Sequence, residues 1–224
     1  MMHRKELLAT GHYYHVFNKS IADFRIFNTH YNSERFLHTL RYYQLHESSM
    51  KLSQFLRLQE IQDDGFEKHF IPAQRPEEKL VEILAYCLMP THVHLILKQL
   101  RDDGISQFMQ NIQNSYTRFF NEKHRRKGPL WVGRFKSVLV DSDEYLLHLT
   151  RYIHLNPVSA GLAGTPKKWP YSSYHEYSGN VGADRRICRF DDVIAINAGE
   201  YENFVNDRIS HQKELAAIKS LILE

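Results

Sequence analysis

Two periods of apolar spacing alternate along this chain, and their order is what the sequence gives away first. His12-Tyr13-Tyr14-His15-Val16-Phe17 is aromatic and β-branched and predicts a first strand. Apolar residues then return at helical spacing (Phe36, Leu37, Leu40, Tyr43), with Asn32 or Ser33 available to cap that helix. From about Glu47 to Arg75 the pattern turns polar and acidic, broken by Gly65, Pro72 and Pro76, and reads as an insertion of weak order or short helix with no visible chemistry. Lys79 to Leu88 is a second strand-like run, and Pro90 permits a tight turn into Thr91-His92-Val93-His94-Leu95-Ile96-Leu97. Asp102-Asp103-Gly104 opens a helix carrying Ile105, Phe108, Met109, Ile112, Tyr116, Phe119 and Phe120 on one broad face. A basic loop follows, then a strand from Phe135 to Val140.

Strand, helix, strand, strand, helix, strand is the order of an α+β, ferredoxin-like split β-α-β sheet, with both helices on one face. The other face is expected to stay open for chemistry. A third helix starts after Asp141-Ser142, where either side chain can accept from first-turn amides, and is expected to stop at Pro157. Leu146, Leu149 and Ile153 form its apolar stripe; Tyr145, His148, Tyr152 and Asn156 line the adjacent one. Trp169-Pro170-Tyr171-Ser172-Ser173-Tyr174 reads as an irregular strap. The division expected is a principal domain over 1–179, with 47–76 inserted, and a helical C-terminal extension over 180–224 ending in Leu215, Ile218 and Ile222.

Composition adds a class. The chain has 224 residues, 42% hydrophobic and 25% charged, enough to build a core in a globular protein. A net charge of +3 says little, but its distribution says more. His124-Arg125-Arg126-Lys127, Arg134, Lys136, Arg151, Lys167 and Lys168 gather positive charge after the centre, interleaved with Phe119, Phe120, Trp131 and Phe135. That mixture suits a nucleic-acid surface, Arg134 and Lys136 contacting phosphates and Trp131 or Phe135 stacking a base; a solvated basic edge is the plainer alternative. Cys87 and Cys188 make neither a disulfide framework nor zinc-ligand spacing, and Cys87 reads as core. The N-terminus has no apolar signal-peptide core and no run approaches a membrane span, so a cytoplasmic protein without a membrane partner is expected.

The candidate chemistry centres on His92 and His94. Strand alternation points both imidazoles one way and Val93, Leu95 and Leu97 the other, making a bidentate grip for a divalent ion. The competing reading is two half-exposed polar residues on a sheet face. With Asn156 supplying an amide oxygen, the shell would accept Mg²⁺ or Mn²⁺ and would not exclude zinc. One helical turn from that ligand, Tyr152 could attack a metal-polarised phosphodiester and retain its energy in a phosphotyrosine link.

The chain resembles the REP-associated tyrosine transposases of the HUH single-strand transposases and nickases. The blocks that carry the resemblance are Tyr14-His15-Val16, Met89-Pro90-Thr91-His92-Val93-His94, Gly133-Arg134-Phe135-Lys136-Ser137, Arg151-Tyr152-Ile153-His154-Leu155-Asn156-Pro157-Val158 with Ala160-Gly161-Leu162, and Trp169-Pro170-Tyr171-Ser172-Ser173-Tyr174. They span Gly11 to Tyr174 in order. The resemblance implies His92 and His94 as metal ligands, Asn156 as the third, and Tyr152 as the single nucleophile. It also implies a hairpin-bearing single-stranded DNA substrate, cut to leave a 5′-phosphotyrosine and a free 3′-hydroxyl, and a monomer or homodimer. Thr91 departs from the family's usual asparagine, a change expected to affect the turn more than the metal.

Alternatives stay open at this stage. Tyr116, beside Asn114 and Arg118, is a rival nucleophile; Asn156 can instead be a helix C-cap; His148 can relay protons or stack on the sheet. Arg125, Arg126, Lys127, Trp131, Arg134, Phe135, Lys136 and Arg151 are the DNA-contact candidates. Two other functions compete: a single-stranded nucleic-acid-binding protein without catalysis, and a metallohydrolase using water as its nucleophile.

Overall fold

A computed structural model describes residues 8–45, 50–69, 79–182 and 185–209. Strand β1 (Tyr13–Lys19) leads to helix α1 (His30–Tyr42) and three short helices, α2 (Leu52–Phe55), α3 (Gln59–Asp64) and α4 (Phe66–His69). Then come β2 (Val81–Met89), β3 (His92–Gln99), α5 (Gly104–Lys123), β4 (Lys136–Val140), α6 (Asp143–Ser159), α7 (Tyr174–Tyr177) and α8 (Ala198–Asn206). The four strands form one antiparallel sheet in the order β2-β3-β1-β4. This is the split β-α-β arrangement expected from the run order.

Register explains the two faces. Phe17 pairs with His94 and His15 with Ile96, so His15, Phe17, His92, His94 and Ile96 share one face. Tyr14, Val16, Val93, Leu95 and Leu97 occupy the other and are buried under α1 and α5. The predicted stripe of α5 closes that layer: Ile105, Phe108, Met109, Ile112, Tyr116 and Phe120 are buried. Gly104, at its start, is required by close approach, since a Cβ there would stand 2.3 Å from the Leu80 carbonyl oxygen.

Several local expectations are corrected. Thr29, not Asn32 or Ser33, caps α1 by accepting from the Asn32 amide; Asn32 and Ser33 are buried inside the helix. The inserted segment forms short helices where it is described, while residues 46–49 and 70–78 lie outside the described residues. Helix α6 does not stop at Pro157 but runs on to Ser159. Proline this far along forgoes the bond its N–H would have made to the Ile153 carbonyl, but its fixed φ is compatible with a helix and its ring is buried. The Pro157 carbonyl then closes the turn by accepting from Leu162 and Ala163 at 2.8 and 3.2 Å.

The second sheet face is not left open throughout. Ala85, Cys87 and Met89 of β2 are apolar and need cover, and α6 supplies it with buried Leu146, Leu149 and Ile153. The strap does more than pack: it runs along the outer edge of β2. Tyr171 O accepts from Leu88 N and Ser173 N donates to Tyr86 O, both at 2.9 Å, and the Trp169 indole donates to Leu88 O at 3.0 Å. An otherwise unpaired strand edge is thereby occupied. Beyond Gly179, Ile187, Phe190, Ile194, Tyr201 and Val205 pack into the same hydrophobic core as the sheet. The expected terminal apolar positions Leu215, Ile218 and Ile222 lie outside the described residues.

Candidate active site

The histidine pair sits at the start of β3, directly after the turn at Pro90-Thr91. The rings of His92 and His94 are 5.0 Å apart. A third imidazole joins them: His15 Nε2 lies 3.0 Å from His94 Nδ1, and the two rings stack at 5.2 Å. Phe17 packs against both His15 and His94 at 5.0 and 5.9 Å. His92 Nδ1 is 3.1 Å from the Thr91 hydroxyl. In both strand histidines the Nδ1 atom is therefore taken by a neighbour, and Nε2 is the nitrogen left for a ligand.

Burial keeps these rings neutral, the form that binds metal. Desolvation pulls His94 down to about 3, with the neighbouring His15 and His92 adding to it. The same cause brings His15 down to about 4. His92 is lowered too, by desolvation and then by Lys19.

Helix α6 brings the phenol. Ser142 caps it, accepting from the Tyr145 amide at 3.2 Å, and its buried stripe fixes its rotation. Tyr152 then projects over the histidines, its ring edge-on to His94 at 6.1 Å and to His15 at 6.4 Å. It remains 45% exposed and so is open to solvent. Asn156, one turn further on, donates its amide to the Tyr152 carbonyl at 3.3 Å, an arrangement that uses the amide nitrogen and not the side-chain oxygen. It is not the C-cap, a place Ala160 fills.

The donor set fits a divalent ion of mixed nitrogen and oxygen preference: two neutral imidazoles with unused Nε2 atoms and one amide oxygen on the facing helix. Among the described residues no group of three His, Cys, Asp or Glu converges as a metal site. His15 is consistent with that, since its Nε2 faces His94.

Tyr116 is removed as a rival. It is fully buried on the other side of the sheet, donating its hydroxyl to Ile26 O at 2.7 Å, and desolvation raises its pKa. His148 does not stack on the sheet; it lies against Phe204 of α8, with Nδ1 2.7 Å from Arg151.

The DNA-contact candidates divide. Lys136 stands opposite Phe17 on the histidine face of β4 and is exposed, as are Arg134, Arg125 and Lys127. Asn18 fixes the loop before β4 by donating to Gly133 O at 3.0 Å. Phe135 is half-buried and packs against the core. Three candidates have partners within the chain. Trp131 is only 8% exposed and packs on Phe36 and Tyr116, so its ring is core and closed to a base. Arg151 is spent on α8, its guanidinium 4.1 Å from the Phe204 ring. Arg126 latches its own loop, donating to Asn121 Oδ1 and Pro129 O, both at 2.7 Å.

Sequence reasoning did not single out His15 as a site residue. The signal was present in Tyr14-His15-Val16, where a histidine stands at an inward-alternating position of a central strand. Both cysteines are buried and unpaired. No described helix is long and apolar enough to cross a membrane.

The structure thus combines a four-stranded antiparallel sheet bearing an H-x-H pair with a helix that presents a tyrosine across it. Comparison with known proteins finds similarity to a transposase family and to REP-associated tyrosine transposases over part of the chain. The family model "Transposase IS200 like" matches residues 61–156, a span holding His92, His94, Tyr152 and Asn156. A Haemophilus influenzae chain named for the REP-associated tyrosine transposases is 33% identical over 105 residues, 42% of this chain and 59% of that one. The REP-associated tyrosine transposase of Escherichia coli is 28% identical over 95 residues, 42% of this chain and 54% of its own. The chain thus spans little more than half the length of these relatives. A solved structure of a REP-associated tyrosine transposase bound to a REP hairpin shares the fold, with a TM-score of 0.51 at 18% identity over 88% of this chain and 99% of that one.

Proposed function

We propose that the protein cuts and rejoins single-stranded DNA through a covalent link to Tyr152, with a divalent ion, Mg²⁺ or Mn²⁺, held by His92, His94 and Asn156. The observation that carries this reading is the half-exposed Tyr152 ring edge-on to His94 at 6.1 Å, on the face to which β3 directs both histidines. A bound ion would polarise the phosphodiester and neutralise charge building on its oxygens.

The chain's own residues do the rest. The Tyr152 oxygen attacks phosphorus; the Oη–P bond forms as the P–O3′ bond breaks. The 3′ oxygen leaves as a hydroxyl once protonated, and the proton of the phenol is released to solvent at the open face. What remains is a 5′-phosphotyrosine, and attack by another 3′-hydroxyl reverses the step on a new strand. His94 binds through Nε2 only if its proton is on Nδ1, so it donates to His15 Nε2; His92 correspondingly donates to Thr91 Oγ1. Lys136 and Arg134 at the exposed edge hold flanking phosphates. The relationship to proteins named as transposases, one of them solved with a REP hairpin, supports a hairpin-bearing substrate.

Incubation with Mn²⁺ and labelled single-stranded hairpin DNA should yield a denaturation-resistant protein–DNA adduct. Tyr152→Phe should remove the adduct and leave binding within about twofold, because only one hydroxyl is lost. An adduct that survives this substitution refutes the assignment. Turnover of small phosphodiesters that survives it would favour water as the nucleophile instead.

A further inference from the structure

On the side of the sheet away from Tyr152, α1, α5 and the inserted segment enclose a groove of about 1080 Å³. We infer that this groove is a second nucleic-acid site, which takes a single-stranded stretch of DNA by its phosphates and bases. The choice of a DNA strand as occupant rests on the strand-transfer reading above.

The lining is one-sided in charge. Arg35, Lys51, Arg57, Arg118 and Lys123 face it against the single carboxylate of Glu122. Residues 111–122 of α5 contribute along its length, about 17 Å of helix at 1.5 Å per residue. Apart from Phe119, which also packs against the core, they come from the outer stripe of α5, so core packing does not dictate their identity.

Two further features point to a ligand. Arg35 is only 7% exposed, and its Nη1 has no hydrogen-bond partner among the described residues. Its electrostatic neighbours are the phenols of Tyr43, Tyr31 and Tyr116 rather than a carboxylate. A buried guanidinium that meets no carboxylate among the described residues is costly and projects positive potential into the cavity it lines. Rings accompany the charges: Tyr31 is 61% exposed with Lys123 Nζ 4.3 Å from its centre, and Phe119 lies 5.7 Å from Tyr31 and 5.4 Å from the Arg35 guanidinium. Exposed rings beside cations are what single strands use, bases stacking while phosphates are neutralised. An acidic peptide would leave the exposed Tyr31 ring unused.

The test is anisotropy titration of fluorescent single-stranded oligonucleotides between about 50 and 200 mM salt. Arg57 and Arg118 are exposed, so the Arg57→Ala, Arg118→Ala double variant should fold. It should bind more weakly and flatten the log affinity against log salt slope by about 1.4, at about 0.7 per lost phosphate contact. Tyr31→Ala should cost about tenfold in affinity. An oligonucleotide carrying 5-iododeoxyuridine should crosslink to the Tyr31 or Phe119 peptide. Unchanged slope and affinity in both variants, crosslinks absent from these peptides, or equal competition by polyglutamate would each overturn the proposal. Adduct formation by the unsubstituted protein is scored separately. Groove binding without adduct upholds the groove and sinks strand transfer; adduct without groove binding does the opposite.

Discussion

At the scale of single residues, the site depends on which nitrogen of each histidine is engaged. Thr91 was expected to affect the turn more than the metal; its hydroxyl also meets Nδ1 of His92, a candidate metal ligand, at 3.1 Å. His15 does the same for His94. Losing such a supporting partner typically costs about 10–100-fold in metal affinity. Thr91→Val and His15→Phe should each weaken Mn²⁺ binding within that range, read by the electron paramagnetic resonance of free Mn²⁺ while circular dichroism reports an intact fold. His15→Gln, which can still accept from His94, should recover part of the loss. Equal affinity in all variants would show that neither neighbour orients a ligand. The pairing of His15 with His94 was not legible in the sequence because the partners are 79 residues apart and their contact exists only once β1 and β3 pair. Trp131 was misread for a related reason. A tryptophan in a basic stretch has the composition of a stacking residue, and only the packing of α1 and α5 shows it to be core.

At the scale of elements, the strands and long helices could be read because their apolar periods match their buried faces. What could not be read is what α6 leans on. Arg151 was expected to contact nucleic acid and His148 to relay protons or stack on the sheet; α8 stands beside both. His154 shows the same dependence: fully buried, it bonds Tyr201 of α8 at 2.6 Å and Ser173 of the strap at 2.7 Å, joining three parts of the chain behind the tyrosine. Desolvation, with a smaller push from His175, holds it down at about 3. The sign follows from proton uptake. The unfolded chain takes up a proton near the ordinary value of about 6.5 while the folded chain does not, so this contribution to stability is whole above that pH and is lost as pH falls toward about 3. From about pH 7 to about pH 5 the loss amounts to about 2 kcal/mol. His154→Gln keeps hydrogen-bonding capacity without titrating, so its urea-unfolding stability should depend on pH less steeply by about that amount. Parallel pH profiles for the two proteins would contradict a neutral buried His154.

At the scale of the whole molecule, the sheet separates two surfaces with different demands. One face holds neutral imidazoles and a half-exposed phenol; beyond the other, over its helix layer, lies a groove rich in cations and rings. The strap and the segment after Gly179 close the β2 edge and fasten α6, so the helix that presents Tyr152 is anchored from its rear. Strand order and the H-x-H pair were legible in the chain. The groove was not, because six of its sixteen lining residues come from a polar insertion with no pattern of its own, whose role emerges only where it lies beside α1 and α5. The central claim is that the Tyr152 oxygen, alone among thirteen tyrosines, forms the bond to phosphorus. Mass spectrometry of the proteolysed adduct tests it most directly. A single modified peptide, with the nucleotide mass on Tyr152, is the predicted result; modification at any other side chain, or an adduct mass that maps elsewhere, would contradict the account.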